Sequence, residues 1–365
     1  MDYRCLGSSG LTVSVVGLGT NNFGMKLDDA GCREVLDAAL GQGVTLVDTA
    51  DSYGQSEERL GVLLKGQRDD VVLATKFGSD VRRLGLDNGA DWGARGSRRY
   101  VRRVVEASLR RLQTDWIDLY QLRRPDPATP IEETLSVLDD LVREGKVRYV
   151  GHSNFSGFQT SHAEWTARTR GFERFVSAQN EYSLLKTQVE TELVPALEEY
   201  GMGMLPYFPL ASGLLTGKYQ RGMAAPAGSR VAAWGMRAAL TDATFDRIEA
   251  LASFGKERGH SLLDVAVSGL AAQPASLPVP PARSRSRRTS PPAPGSSAPM
   301  TSRRCARSRE RCPADDTAQD PVDDGAGVPP DLDDRQHRRG LGVLARLPHP
   351  GRHVRRAGLG HHAWT

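Results

Sequence analysis

Along the first 275 residues, short apolar runs rich in β-branched side chains alternate with longer stretches whose apolar positions recur every three or four residues. The runs are VSVVGLGT (13–20), VTLVDTA (44–50), VVLATKFG (71–78), WIDLYQL (116–122), VRYVGHSN (147–154), RFVSAQNEY (174–182) and MGMLPYFPL (202–210). Short and nearly continuous, they predict parallel strands covered on both faces. Helices are predicted at 28–43, 97–113, 129–146 and 189–201, then at 242–259 and 261–273. Acidic or Ser starts and a closing glycine mark several of these boundaries. Thr129, Pro130 and Glu133 predict a capping box with proline at the first helical position. The opening MDYRCLGSSGLTVS predicts a short hairpin around Gly7 to Gly10 that plugs the floor of the sheet.

Repeated β–α alternation predicts either a closed (β/α)8 TIM barrel or a doubly wound sheet. A doubly wound nucleotide-binding sheet needs GxGxxG directly after its first strand. GLGTNNFG lacks that spacing. A barrel collects polar residues at the carboxyl ends of many strands, and Asp48, Lys76, Arg123, Ser153, Asn154, Gln179 and Tyr207 all fall there. The barrel is the better reading. Its eighth strand belongs near residue 276, where SLPVPP is unsuited to a central strand because proline removes ladder donors. The last strand and helix are therefore expected to be missing or aberrant.

Composition divides the chain at that same point. The net charge of +4 hides a balance of −3 over residues 1–275 and +7 over 276–365, where 16 Arg occur with no Lys and 13 of the 21 prolines. Such a tail cannot bury enough apolar surface to offset the entropy of ordering. Two readings go beyond disorder. An arginine-rich arm would bind nucleic acid through phosphates. Alternatively, GC-rich DNA read out of frame yields Arg, Pro, Ala, Gly and Ser. Writing Arg283 to Ser302 in GC-rich codons and shifting the frame gives EQVAANVAAGAWELSADDL, an amphipathic pattern. The shifted frame is preferred, so 1–275 is read as the folded domain and 276–365 as a non-native tail. A hydrophobic share of 39%, a mean hydropathy of −0.43 and no apolar run approaching a bilayer span argue against a membrane protein. No signal peptide is apparent. Cys5, Cys32, Cys305 and Cys312 show no metal-ligand or disulfide spacing. A cytoplasmic, reducing setting is the expectation, and oligomeric state is not legible.

The chemistry concentrates in LVDTADSYG and LATKFG. Asp48, Tyr53 and Lys76 can meet in one pocket, with the ammonium held by the carboxylate beside the phenol. A nearby cation favours loss of the phenolic proton, and such a phenol can protonate a carbonyl oxygen as hydride arrives at carbon. Taken singly, each residue has a structural alternative: a helix cap, a turn residue, a surface charge. Together with LGSSGLTVSVVGLGT, DLYQLRRPDP, VRYVGHSNFS, SAQNEYSLL and LPYFPLASGLLTGKY, these motifs resemble the aldo/keto reductase family over about residues 1 to 275.

That resemblance implies a barrel that binds NADP(H) and reduces aldehydes or ketones. It makes Tyr53 the general acid, tuned by Asp48 and Lys76. Ser153, Asn154 and Gln179 would hold the nicotinamide carboxamide and Tyr207 would stack on its ring. Leu210, Gly213, Leu214 and Lys218 would lie over the pyrophosphate, with Gly19, Thr20, Asp48 and Phe208 also at the cofactor. Asn22, Tyr53, Trp92, Phe208 and Trp234 would line the substrate pocket. Three departures stand out. The family's pattern has His where Arg123 stands, and a guanidinium cannot relay a proton at neutral pH, although it can polarise a carbonyl. Impaired reduction, with a preference for anionic substrates, is the expectation; Arg124 is read as a structural or surface charge. Gly269 stands in a helix where relatives often carry a large aromatic. The residues expected to bind the adenosine 2′-phosphate are replaced by SLPVPPARSRSRRTS. A second reading is a catalytically weak nicotinamide-binding protein, and a nucleic-acid binder is the weakest. His152 is assigned to packing.

Overall fold

The computed structural model describes residues 1–79, 94–233, 235 and 240–273. Strands β1 (Tyr3–Cys5) and β2 (Thr12–Ser14) form the antiparallel hairpin, Tyr3 opposite Ser14. Seven strands then make one parallel sheet in sequence order: β3 (Leu18–Gly19), β4 (Leu46–Asp48), β5 (Val72–Phe77), β6 (Ile117–Leu122), β7 (Val147–Ser153), β8 (Ser177–Gln179) and β9 (Gly203–Met204). Helices α1 (Asp29–Gly41), α2 (Ser56–Leu63), α3 (Arg98–Leu112), α4 (Ile131–Arg143), α5 (Gly157–Arg170) and α6 (Leu193–Tyr200) alternate with them. After β9 come α7 (Arg230–Ala233), α8 (Asp242–Lys256) and α9 (Leu262–Ala271). This is the curled sheet of a (β/α)8 barrel. The region expected to hold the eighth strand, and the whole 276–365 tail, lie outside the described residues.

Side-chain alternation sorts the core. Leu46, Ala74, Leu119 and Leu205 point inward and meet Leu6 and Val13 of the hairpin region in one apolar cluster. Leu6 is completely buried, and Ser8 N–H donates to Gly201 O at 2.7 Å. The hairpin is the floor plug that the sequence predicts. A larger cluster lies between sheet and helices, with Val47, Leu73 and Tyr120 facing Val101, Val104, Leu138 and Leu141. A third joins Leu210, Leu214, Leu215 and Tyr219 to Val231, Phe245, Ile248 and Leu262.

Some local expectations need correction. The run 13–20 is two pieces: Val13 sits in the hairpin, Leu18 and Gly19 in the barrel, and the Ser14 hydroxyl donates to Val16 O in the bend between them. The capping box at α4 does not form. Asp126 accepts the Thr129 hydroxyl at 2.8 Å, while the Glu133 carboxylate accepts Arg98 N–H at the start of α3. Ser97 also caps α3, accepting from Tyr100 N–H. Helices α2 and α5 were not predicted. Helix α5 buries Gly157, Thr160, Ala163, Glu164 and Ala167 while Phe158 and Trp165 are exposed, which inverts the usual amphipathic signal.

Candidate active site

Residues two apart on a strand share a face, so the inward row that forms the floor continues to the mouth. Leu46 leads to Asp48, Ala74 to Lys76 and Leu119 to Gln121. The register sets Asp48 beside Ala74, Lys76 beside Gln121, Gln121 beside Gly151 and Ser153 beside Gln179. Five neighbouring strand ends thus deliver their polar side chains to one place.

At its centre is an ion pair. The Lys76 ammonium donates to Asp48 Oδ1 at 2.7 Å, Asp48 Oδ2 at 2.6 Å and Thr49 O at 2.8 Å. Both residues are at most 3% exposed. Gln179 Nε2 and Gln121 Nε2 donate to Asp48 Oδ1 at 3.0 and 3.3 Å. Burial makes an ion pair costly unless its remaining hydrogen-bonding capacity is met, and here it is met on both sides. An ammonium has three donors, and three acceptors surround this one. Lys76 Nζ stands 5.3 Å from the centre of the half-buried Tyr53 ring. With its protons engaged elsewhere, Lys76 acts on that ring as a fixed charge.

Gln121 is a site residue that sequence reasoning missed. Its signal was available: it stands two residues after Leu119 on an inward row and in register with Lys76. Gly151 makes room for it. A Cβ at residue 151 would lie 2.6 Å from Ser177 Oγ and 3.2 Å from Gln121 Cγ.

The same alternation separates the two arginines. Arg123 continues the inward row, and its guanidinium carbon lies 5.1 Å from the centre of the Tyr53 ring. Its backbone is fixed on both sides: Arg123 N–H donates to Phe77 O at 2.9 Å, and Asn154 Nδ2 donates to Arg123 O at 2.9 Å. Arg124 is exposed and lines an outer groove with Pro125, Asp126, Phe155 and His162. His152 points the other way, packed between Phe155 and Phe175, with Nε2 3.4 Å from Thr160 Oγ1. Burial pulls the His152 imidazole down to about 3.

Ser153 Oγ donates to Gln179 O at 2.6 Å, and Asn154, held at φ 60°, donates to Ser153 Oγ at 2.9 Å. The Tyr207 hydroxyl donates to Asn154 Oδ1 at 2.7 Å. Burial pushes the Tyr207 phenol up and Glu181 adds to it, while Arg124 and Arg123 pull the other way. The structure thereby links Ser153, Asn154, Gln179 and Tyr207 into one network. Thr20 is tied to the Asp48 backbone by N–H and hydroxyl bonds of 2.9 and 3.0 Å, with Gly19 in register beside Asp48. Asn22 O accepts three backbone N–H groups in the loop before α1. Trp92 and Trp234 lie outside the described residues.

Beyond Tyr207 the backbone turns left-handed at Phe208 (φ 53°), Ala211 (φ 47°), Ser212 (φ 56°) and Gly213 (φ 98°). Such φ values cost free energy for residues with a Cβ. Successive N–H groups in tight turns of this kind form concavities that bind anions. Lys218 reinforces the charge: its ammonium lies 3.2 Å from where a Gly213 Cβ would be. Leu210 and Leu214 do not face outward, since both belong to the cluster with Tyr219 and Phe245. Their contact with any phosphate would be through the backbone. The Tyr207 ring is partly exposed and precedes these turns in the chain.

The fold is thus a (β/α)8 barrel whose carboxyl rim carries a buried Asp48–Lys76 pair close to the Tyr53 ring. The model of the Aldo/keto reductase family matches residues 15–309, a range that continues past residue 275. The uncharacterized oxidoreductase YrpG of Bacillus subtilis (strain 168) is 38% identical over 284 residues, 75% of this chain and 84% of that protein. L-glyceraldehyde 3-phosphate reductase of Escherichia coli (strain K12) is 33% identical over 286 residues, 74% and 80% of the two chains. A protein of Oryza sativa subsp. japonica named probable voltage-gated potassium channel subunit beta is 33% identical over 291 residues, 75% and 84%. The chain belongs to the aldo/keto reductase family, whose members are oxidoreductases that generally use nicotinamide cofactors on small carbonyl compounds. No helix among the described residues is long and apolar enough to cross a membrane.

Proposed function

We propose that this protein reduces the carbonyl group of a small molecule with NADPH, and that Tyr53 donates the proton. The supporting observation is the Lys76 ammonium, saturated by Asp48 and Thr49 and 5.3 Å from the Tyr53 ring. The cofactor, when bound, supplies a hydride to the carbonyl carbon. Tyr53 gives its proton to the carbonyl oxygen and regains one from solvent. Lys76 offsets the negative charge left on the phenolate, and Asp48 with Gln121 and Gln179 keeps Lys76 in place. Tyr207, anchored through Asn154, is the flat wall for the nicotinamide, with Ser153 and Asn154 beside it. The left-handed turn at 211–213 and Lys218 take the diphosphate. Preference for NADP over NAD is part of this reading by family resemblance. A cytoplasmic setting enters it from the cysteine pattern, and the reading of 276–365 as a shifted frame from the tail's composition, which sequencing the coding DNA near Pro274 checks.

A second reading is a nicotinamide-binding protein with weak turnover. Arg123 favours it, because a guanidinium beside Tyr53 cannot exchange protons as an imidazole does; the name of the rice relative also points away from catalysis. NADPH fluorescence titration followed by turnover on neutral and anionic carbonyl compounds separates the two. Micromolar binding with turnover supports the first reading. Binding without turnover, restored by Arg123→His, supports the second, and no binding removes both.

A further inference from the structure

Among the described residues, several half-buried arginines pair with carboxylates, and Arg123 does not. Arg111 pairs with Glu57 at 2.6 Å, Arg68 with Asp118 at 2.7 Å and Arg59 with Asp29 at 2.8 Å. Arg123 forms no ion pair among the described residues, and its Nη1 is buried without a hydrogen bond. Leaving a buried charged donor unsatisfied carries a desolvation cost larger than that of a neutral one. The nearby carboxylates do not pair with it: Asp48 is held by Lys76 at 2.6 Å, and Glu181, which acts on Tyr207, pairs with Lys186. The Arg123 charge therefore has no counter-ion in contact among the described residues, and it lies over the face of the proposed proton donor.

Resting on the reductase reading, we infer that Arg123 selects 2-oxo acids, carbonyl compounds with a carboxylate on the carbon next to the reacting carbonyl. The guanidinium carbon lies over the Tyr53 ring, 5.1 Å from its centre, within reach of a carbonyl compound whose oxygen takes the Tyr53 proton. Only an anion within a bond or two of that oxygen can share both groups. In a 2-oxo acid the carbonyl oxygen and one carboxylate oxygen lie side by side, matching the planar fork of a guanidinium. One arm of Arg123 then neutralises the carboxylate while the other polarises the carbonyl. The backbone of Arg123 is fixed by Phe77 O and Asn154 Nδ2, which sets the point from which the side chain reaches the Tyr53 ring. Hydride adds to the carbonyl carbon, the Tyr53 proton goes to its oxygen, and the product is a 2-hydroxy acid with oxidised cofactor. No other bond changes.

The test compares phenylglyoxylate with its methyl ester, which share a reacting carbonyl and differ in charge, and with 4-carboxybenzaldehyde, whose carboxylate is remote. Steady-state rates with NADPH are measured for the wild type, Arg123→Gln and Arg123→Lys. The expected wild-type kcat/KM favours the acid over the ester by about ten- to hundredfold, the range set by a charge-assisted hydrogen bond. Arg123→Gln should abolish that ratio mainly through KM for the acid, and Arg123→Lys should restore part of it. A purely structural role for Arg123 would lower both rates together and leave the ratio unchanged. An unchanged ratio, a wild-type preference for the ester, or equal preference for the remote carboxylate overturns the inference. If no compound is turned over, calorimetric titration of phenylglyoxylate into the enzyme with NADP+ decides. Binding lost in Arg123→Gln upholds selection by Arg123, and binding absent or unaltered overturns it. NADPH titration of the same samples reports separately on the reductase reading.

Discussion

Leu46 and Asp48 are two residues apart on one strand and both face the barrel interior, yet one joins an apolar floor and the other a charged mouth. Ala74 and Lys76 repeat the contrast on β5, and Leu119 and Gln121 on β6. At the floor, Leu6 and Val13 fill space against Leu46, Ala74, Leu119 and Leu205, and only volume matters. At the mouth, the central ion pair is held by specific partners: Lys76 has three acceptors and Asp48 three donor residues. Alternation fixes which residues point inward, and position along the strand decides whether they stabilise the fold or perform chemistry.

The contrast breaks most severely at Lys76. Lys76→Met removes one member of a buried pair and leaves the Asp48 carboxylate with only amide donors. We expect stability to fall by about 3–5 kcal/mol and turnover to fall by at least about a hundredfold. Urea unfolding and NADPH oxidation rates check both. At the floor, Leu6→Ala should cost about 2–5 kcal/mol in unfolding free energy through the cavity it leaves. Its kcat, measured well below the melting temperature, should stay close to wild type, because Leu6 packs in the apolar floor cluster. A comparable loss of kcat would mean that floor and mouth are not separable.

His152 sharpens the comparison with a third environment, behind the sheet. Its imidazole titrates near 6.5 when unfolded and at about 3 when folded. Between those values the unfolded chain holds the extra proton. Its contribution is therefore intact above pH 6.5 and declines as pH falls, by up to about 1.4 kcal/mol per pH unit. Urea unfolding from pH 7 to 4 should show a shallower slope for His152→Leu than for the wild type. The smallest effect belongs to Gly269→Ala on α9. Helix propensity favours Ala by about 1 kcal/mol, and the new Cβ meets only the flexible end of Leu184 at 3.3 Å. A melting temperature raised by a few degrees or unchanged fits this; a clear drop does not.

The barrel was legible because its strands are largely apolar and several consecutive strand ends are polar. Asp48, Tyr53, Lys76 and Arg123 could be placed in one pocket because β4, β5 and β6 are consecutive and their inward rows can be counted. Gln121 escaped because it sits inside an apolar run, where a lone amide resembles an ordinary interior side chain. Helix α2 escaped because its buried face includes Ser56, Glu57 and Gly61, and Glu57 is recognisable as interior only once Arg111 and Thr75 are seen against it. The left-handed turn at 211–213 escaped because only Gly213 announces it; Ala211 and Ser212 carry no such signal. The capping box at Thr129 was misjudged because Asp126, a local competitor for the hydroxyl, was not weighed.

Single-turnover NADPH oxidation by Tyr53→Phe, with a carbonyl compound the wild type reduces, tests most directly whether the mouth is a proton-donating site. The hydroxyl is removed while the ring, the Lys76–Asp48 pair and the cofactor wall are retained. The expected result is NADPH affinity within about twofold of wild type and a hydride-transfer rate lower by about 10²–10⁴. A rate within a few-fold of wild type would contradict the assignment of Tyr53 as proton donor.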